Sequence, residues 1–307
     1  MKKSSYNSSH AKRGFGFSNL TYKTQKIIVF IAFLTIPLAF LVVLGYLPVF
    51  NMFGYSLTKW NGISKTKEYV GLKNFQEVFS RPEYFKVFFV SIYYLVGSFV
   101  QIALALLFAT MLNFKMKGQN LFKGIFFFPN LINGVAIGFI FIYFFRPDGT
   151  LDSFLSLLGL KDYIQLWLQN QHINNISLTG VSIWRYMGFN LVLFLGAMQS
   201  ISADVYEASD LDGANRWKQF WYIIFPSIKP IISLNLILAV KGALSVFDIP
   251  YIMMTGGNGT ATFVIKTVQT AFTYNKVGLA SAMAVVLTII VIIIAAIQQL
   301  LFKEDRQ

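Results

Sequence analysis

The chain has 307 residues, of which 55% are hydrophobic and only 13% are charged, against roughly 25% charged in a soluble domain. This composition excludes an ordinary soluble fold, and the absence of cysteine excludes disulfides and thiolate metal sites. Two histidines far apart, His10 and His172, argue against a histidine-based metal site or catalytic triad. The net charge of +13 is explained by Lys and Arg in loops near anionic lipid, and no basic stripe with interleaved aromatics predicts nucleic-acid binding.

The apolar residues occur in runs of about twenty, the length that crosses a hydrocarbon core of roughly 30 Å. Residues 1–26 form a basic, acid-free tail ahead of the first run. This run exceeds the roughly 7–15 residues of a signal-peptide core and lacks a small-residue cleavage site, so it is predicted to be an uncleaved span. The six predicted spans are 27–50, 87–112, 124–145, 178–200, 230–254 and 277–301.

The distribution of Lys and Arg predicts the orientation of these spans. With the N-terminus inside, the inside segments hold 14 basic residues and the longer outside segments hold 10, which favours this topology. We therefore expect an all-α, multi-pass protein of the inner or plasma membrane, with a transmembrane domain over 27–301. Both termini, residues 1–26 and 302–307, are predicted to be cytoplasmic.

The cytoplasmic segment 201–229 is long for a connection between spans and is locally organised. Ser202 is a predicted N-cap of a first short helix, and Gly213 can end or bend that helix. A second, amphipathic helix follows, which Pro226 and Pro230 are expected to end near the next span.

Two surfaces could receive this segment. An interfacial helix would lie on lipid with its aromatic residues at headgroup depth. A protein partner with a groove fits better, because an anionic leaflet repels an acidic cluster. The acidic cluster consists of Asp204, Glu207, Asp210 and Asp212.

The segment resembles the EAA loop of ATP-binding-cassette (ABC) importer permeases, whose pattern is E-A-A, three residues, G, nine residues, I, any residue, L-P. The matching positions are Glu207, Ala208, Ser209, Gly213, Ile223, Phe225 and Pro226. Ser209 departs from Ala and Phe225 departs from Leu, while the spacing is kept.

In that family the loop is a coupling helix that docks in a cleft of the cytoplasmic ATPase, so that two rigid elements move as one body. The resemblance implies a polar or ionic ATPase contact for Glu207, close approach at Ala208 and Ser209, and a turn at Gly213. The residues assigned to ATPase coupling are Glu207, Ala208, Ser209, Asp212, Gly213, Ile223 and Pro226.

Four further elements extend the resemblance over about residues 30–300. They are VGLKNF (70–75), RPDGTLD (146–152), IWRYMGF (183–189) and VFDIPYIMMTGGNGTAT (246–262). Together they resemble the maltose- and glycerol-phosphate-type sugar permeases, which implies a type I importer fold and a carbohydrate substrate. Asn258 stands where that family usually has Pro, which predicts a less stiff loop.

No phosphate-binding G-x-x-x-x-G-K-[ST] motif is present, so ATP hydrolysis is expected on a separate chain and this chain is not expected to be an enzyme. The outer loops are too short to capture a solute. The expected partners are an ABC ATPase dimer, a second permease subunit forming a heterodimer, an extracytoplasmic solute-binding protein and the lipid bilayer. No cofactor and no metal are expected.

Ionisable residues inside predicted spans are candidates for the substrate pathway. Lys241 and Asp248 are seven residues apart and would share one helix face. They could equally pair with each other or with the second permease subunit, and Arg185 and Asp248 could extend to the outer interface. The candidate pathway residues are Trp184, Arg185, Lys241, Phe247, Asp248 and Tyr251.

Three alternatives remain at this point: a self-contained secondary transporter, an ABC permease for a non-sugar solute, and an intramembrane enzyme. A secondary transporter often shows internal repeats, and none is evident between the two halves. An intramembrane enzyme needs convergent acid, base, nucleophile or metal groups, whereas the spans hold three ionisable residues and no histidine.

Overall fold

A computed structural model describes residues 21–114 and 118–301. The predicted C-terminal tail (302–307) and most of the N-terminal tail (1–20) therefore lie outside the described residues. The chain divides into two units, Met1–Gly54 and Tyr55–Gln307.

The first unit is dominated by one long apolar helix. Helix α1 (Tyr22–Phe40) continues through a π-helical turn (Leu41–Tyr46) into α2 (Leu47–Ser56). Pro37 lies inside α1 without ending it, as a long apolar helix tolerates when a local π adjustment re-satisfies the freed backbone groups. No residue of α1 is buried, so its apolar surface is left uncovered by the described residues of its unit.

The second unit begins with a small departure from the all-α expectation. Strand β1 (Thr58–Lys59) pairs antiparallel with β2 (Glu68–Tyr69), with Thr58 opposite Tyr69. The Asn74 amide donates to the carbonyls of Ser56 and Thr58 and holds the hairpin against the next helix.

The rest of the second unit is helical. Its helices in chain order are α3 (Lys73–Ser80), α4 (Pro82–Lys86), α5 (Phe88–Asn113), α6 (Gln119–Leu131), α7 (Gly134–Phe145), α8 (Thr150–Leu157), a 3₁₀ turn (Lys161–Tyr163), α9 (Asn174–Gln199), α10 (Ala203–Leu211), α11 (Arg216–Gln219), a π-helical turn (Phe220–Ile224), α12 (Phe225–Leu244), α13 (Asp248–Met254), α14 (Phe263–Val268), a π-helical turn (Gln269–Thr273) and α15 (Val277–Leu301).

Within the described ranges, five helices are long and apolar enough to cross a membrane, or six if α6 and α7 together form one bent span. The span predicted over 124–145 is not one continuous helix, because α6 and α7 meet at 97°. The chain is extended at Ile132, and the Asn133 side chain accepts a hydrogen bond from the Val135 amide at 2.8 Å. An N-cap in the middle of the apolar run starts a new helix there.

The region predicted as 230–254 also differs from one helix. Pro226 and Pro230 do not end the preceding helix, because the π-helical turn before Pro226 lets the chain continue into α12. The helix is instead interrupted at residues 245–247, and α13 begins at Asp248.

Helices α5 and α9 pack side by side along the centre of this unit. A side chain at Gly188 of α9 would overlap the backbone carbonyl of Phe126, so glycine is needed where α6 crosses α9. One apolar cluster joins α5, α9 and the start of α12 around Phe194 and Met198. A second joins α5, α7, α9 and α13 around Ile137 and Ile249, toward the opposite end of the bundle.

Candidate functional site

A cavity of about 440 Å³ lies between α5, α9, α12 and the start of α13. The interruption between α12 and α13 contributes Ser245, Val246 and Phe247 to its wall. Many of the lining side chains are polar although their helices are apolar. The polar and charged lining residues are Tyr94, Ser98, Gln101, Thr179, Ser182, Tyr186, Asn190, Asn235, Lys241, Ser245 and Asp248.

Two polar groups of the cavity wall have no hydrogen-bond partner among the described residues. The Tyr94 hydroxyl and the Thr179 Oγ1 are both buried and unpaired, with 4% and 7% of the respective residues exposed. By contrast, Ser98 and Ser182 donate to carbonyls of their own helices, at Tyr94 and Leu178. The unpaired groups on α5 and α9 can therefore bond a polar solute, because leaving them unpaired costs free energy.

The structure brings together half of the predicted pathway residues. Lys241, Phe247 and Asp248 line the cavity. Trp184 instead meets Phe141 edge-on, with ring centroids 5.2 Å apart, and is not among the lining residues. Tyr251 lies behind Phe247, and their rings stack at 4.6 Å.

Lys241 and Asp248 do not share a helix face, which corrects the prediction from their spacing. The interruption after Leu244 puts them on different helices. Asp248 instead faces Arg185 of α9, with 3.6 Å between the Oδ2 and NH1 atoms. This distance allows an ion pair but is too long for a hydrogen bond.

Arg185 is the more deeply buried partner of this pair, since its side chain is 12% exposed and that of Asp248 is 54% exposed. The guanidinium lies against the backbone of Gly134, at the start of α7, and over the Tyr186 ring at 4.9 Å. Its Nε and NH1 atoms have no hydrogen-bond partner in the described part of the chain. Asp248 thus supplies the negative charge that faces the largely buried Arg185 cation.

Most of the polar wall lies outside the predicted pathway residues. Gln101, Asn190 and Asn235 lie in the middle of α5, α9 and α12, and all three contribute to the cavity. An uncharged polar residue in an otherwise apolar span is the sequence signal that marks all three.

The segment predicted to couple to an ATPase, residues 201–229, folds as expected at its first helix. Ser202 caps α10 by accepting from the Asp204 amide at 3.3 Å. The Gly213 backbone amide donates to the Asp210 carbonyl, and the Ala214 backbone amide donates to the Ser209 carbonyl. These are the hydrogen bonds of a Schellman motif. Gly213 has φ +73°, which a residue without Cβ adopts freely.

A buried glutamine ties the two halves of this segment together. The Gln219 side chain is fully buried and donates to the Ser209 hydroxyl at 2.8 Å and to the Asp210 carboxylate at 2.6 Å. Ser209 in turn donates to the Tyr206 carbonyl at 2.7 Å. Ser209, predicted to permit close approach of a partner, therefore faces the second half of its own segment.

Most of the other predicted coupling residues face outward. Glu207, Ala208, Asp212, Gly213 and Pro226 are exposed, and Ile223 is half-buried. Asp204 and Asp210 are exposed as well. The first helix of the segment thus presents acidic side chains at its surface.

At the opposite end of the bundle, Asn258, which stands where the resembling family usually has Pro, links the loop after α13 to another part of the chain. Its side chain donates to the carbonyls of Leu168 and Gln169, at 3.2 and 2.6 Å. Its own carbonyl accepts from the Asn174 amide group at 2.7 Å. These bonds connect the loop to the segment that precedes α9.

Comparison with known proteins identifies relatives along most of the chain. Residues 101–304 match the family model described as "Binding-protein-dependent transport system inner membrane component". A probable ABC transporter permease of Bacillus subtilis, YurN, is 33% identical over 92% of this chain and 98% of its own length. The multiple sugar-binding transport system permease MsmF of Streptococcus mutans is 31% identical over 89% of this chain and 94% of its own length.

The fold is shared with a solved structure. A chain of a bacterial alginate ABC transporter, crystallised in complex with an alginate pentasaccharide-bound periplasmic protein, superposes with a TM-score of 0.80 at 18% identity. The match covers 92% of this chain and 96% of that one. The helices, the bent pair and the segment between α9 and α12 therefore belong to an ABC importer permease fold. The chain is a permease subunit of an ABC importer and belongs to the binding-protein-dependent transport system inner-membrane components.

Proposed function

We propose that this subunit imports a carbohydrate through the cavity between α5, α9, α12 and α13, and that α10 couples this movement to a separate ATPase. The proposal includes a cytoplasmic position for residues 201–229 and for both termini. Family membership sets aside the self-contained secondary transporter, and this chain itself is proposed to carry out no ATP hydrolysis.

The observation that carries the cargo proposal is the composition of the cavity wall. A sugar presents hydroxyls around its ring and apolar C–H faces. The wall offers unpaired hydroxyls at Tyr94 and Thr179, together with the aromatic side chain of Phe247. MsmF is named as a sugar permease, and a relative from Thermococcus litoralis, 31% identical over 85% of this chain, as a trehalose/maltose permease.

The coupling proposal rests on the exposed acidic face of α10. Glu207 and Ala208 are accessible, while the Gln219 hydrogen bonds hold the helix rigidly to the second half of the segment. A rigid, outward-facing helix can enter a groove on another protein and move as one body with it. An ATPase dimer, a second permease subunit and a solute-binding protein complete the proposed importer.

Co-purification tests the coupling proposal. We would tag this chain, solubilise the membranes gently and identify the bound proteins, comparing wild type with Glu207→Arg. A matched control is Glu68→Arg, which reverses an exposed charge at the opposite end of the bundle. Loss of the ATPase with Glu207→Arg alone is the expected result. Equal recovery of the ATPase with both variants would contradict the proposed contact.

The cargo proposal needs uptake measured in the complete, reconstituted importer. Among labelled sugars, amino acids and polyamines, we expect ATP-dependent uptake of a sugar. For that sugar, Tyr94→Phe and Thr179→Val should each raise the half-saturating concentration by about tenfold, as ~1–1.5 kcal/mol is lost with one hydrogen bond. Uptake of a non-sugar solute alone would overturn the cargo proposal and leave the coupling proposal intact.

A further inference from the structure

The last residue of α5 and the residue after it contact both halves of residues 201–229, here called the coupling segment. The Asn113 side chain, on the final residue of α5, donates to the Tyr206 hydroxyl at 3.2 Å. The next residue, Phe114, has the Arg216 guanidinium 4.0 Å from its ring centroid. Tyr206 belongs to α10 and Arg216 to α11, so two separate helices contact adjacent residues of one helix end.

Tyr206 also contacts the end of α9. Its hydroxyl donates to the Met198 carbonyl at 3.3 Å while accepting from Asn113, so one oxygen joins three helices. Burial raises the pKa of Tyr206 above its ordinary value, partly opposed by the Asn113 hydrogen bond. The hydroxyl therefore keeps its proton and both bonds at physiological pH.

These contacts matter because of how the chain is connected. The coupling segment is joined directly to α9 and α12, so any displacement reaches those helices through the backbone. Helix α5 precedes the segment by about ninety residues and has no such connection. Yet α5 supplies one wall of the cavity, including Tyr94, Ser98 and Gln101. Displacement can reach this wall only through non-covalent contacts.

We propose that Tyr206 and Arg216 are positioning residues. Through their contacts with Asn113 and Phe114, they transmit displacement of the coupling segment to the α5 wall of the cavity. The inference rests on the proposed coupling of α10 to an ATPase. Tyr206 and Phe114 pack on the apolar cluster around Met198, so the contacts between α5 and the coupling segment are made on a close-packed part of the protein.

The test compares solute transported per ATP hydrolysed in the complete importer, reconstituted in proteoliposomes. Tyr206→Phe removes the hydroxyl and keeps the ring, while Asn113→Ala removes the same bond from the other side. The matched control is Tyr222→Phe, whose ring is 80% exposed in the same segment. We expect both variants to retain the ATPase. Asn113→Ala should lower the ratio about fivefold, the effect of losing one hydrogen bond, and Tyr206→Phe at least as much, because it also loses the bond to Met198.

The double variant Tyr206→Phe/Asn113→Ala should be no worse than Tyr206→Phe alone, because Tyr206→Phe already lacks the bond to Asn113. If both single variants transport as much solute per ATP as the wild type, the proposed transmission to α5 is wrong, while the proposed ATPase contact is unaffected. Additive losses in the double variant would also overturn the proposed transmission. Failure of the wild-type chain to bind an ATPase would instead contradict the proposed function. If Tyr206→Phe misfolds, Asn113→Ala alone decides the question.

Discussion

Gln219 and Ser209 lie ten residues apart, and the buried amide of one donates to the hydroxyl of the other at 2.8 Å. The same amide bonds the Asp210 carboxylate, so a single side chain fixes α10 against α11. Ser209 stands where the resembling family has Ala, and the hydrogen bond depends on that departure.

This relationship predicts an order of effects. Gln219→Leu removes every bond of the amide and strands buried polar groups, which should destabilise the chain by ~1–3 kcal/mol. Ser209→Ala should cost less, since the amide retains Asp210. Thermal unfolding of the purified subunit would check this order, and a larger loss with Ser209→Ala would contradict it.

Gly213 should tolerate asparagine better than alanine. A Cβ at this position meets open space, so the penalty comes only from φ +73°. The left-handed conformation costs alanine ~1–2 kcal/mol, whereas asparagine visits it more readily. The ATPase activity stimulated by binding protein should therefore fall in the order Gly, Asn, Ala. Equal activity with Ala and Gly would show that the turn is not needed for coupling.

The Arg185–Asp248 pair should respond unequally to removal of its two partners. Asp248→Asn leaves a largely buried guanidinium without its described counter-charge, at a cost on the order of 3 kcal/mol. Arg185→Gln leaves a carboxylate that is half exposed to the cavity and should cost less. Melting temperatures of the two variants in detergent test the asymmetry, and the double variant should recover part of the loss of Asp248→Asn.

Asn258→Pro should be destabilising even though proline is usual in the resembling family. Asn258 has φ +51°, and proline fixes φ near −65°. The change also removes the bonds to Leu168 and Gln169. Asn258→Gly is the control, because it keeps the backbone and loses only the side-chain bonds. A lower melting temperature for Gly than for Pro would contradict this account.

Local signals in the sequence predicted much of this molecule. Hydropathy identified every long apolar helix, and α15 has the predicted bounds of 277–301. Ser202 and Gly213 marked the two ends of α10, because caps depend on a few neighbouring residues. The interruptions after Leu131 and Leu244 were missed, since a window of about twenty residues averages across a break.

Contacts between distant residues could not be predicted from spacing. Lys241 and Asp248 fit one helix face at seven residues apart, but the interruption directs Asp248 to Arg185. The inward position of Ser209 depends on Gln219, which no motif singled out. These outcomes are decided by how helices pack, and the sequence pattern within one helix does not contain that information.

The 97° bend between α6 and α7 has a consequence for how the chain enters the bilayer. The two helices have 13 and 12 residues, or about 20 Å and 18 Å, and each is shorter than the roughly 30 Å hydrocarbon core. Neither is long enough to cross the core alone, so we expect the pair to enter the bilayer as one apolar stretch that bends afterwards. Gly188, which admits the Phe126 carbonyl, arrives with α9 later in synthesis. Gly188→Leu should therefore leave insertion intact, as judged by alkaline extraction, but block the packing of α6 on α9 and with it assembly with the proposed partner permease. Biogenesis of this subunit would then be complete only when α9 packs against α6.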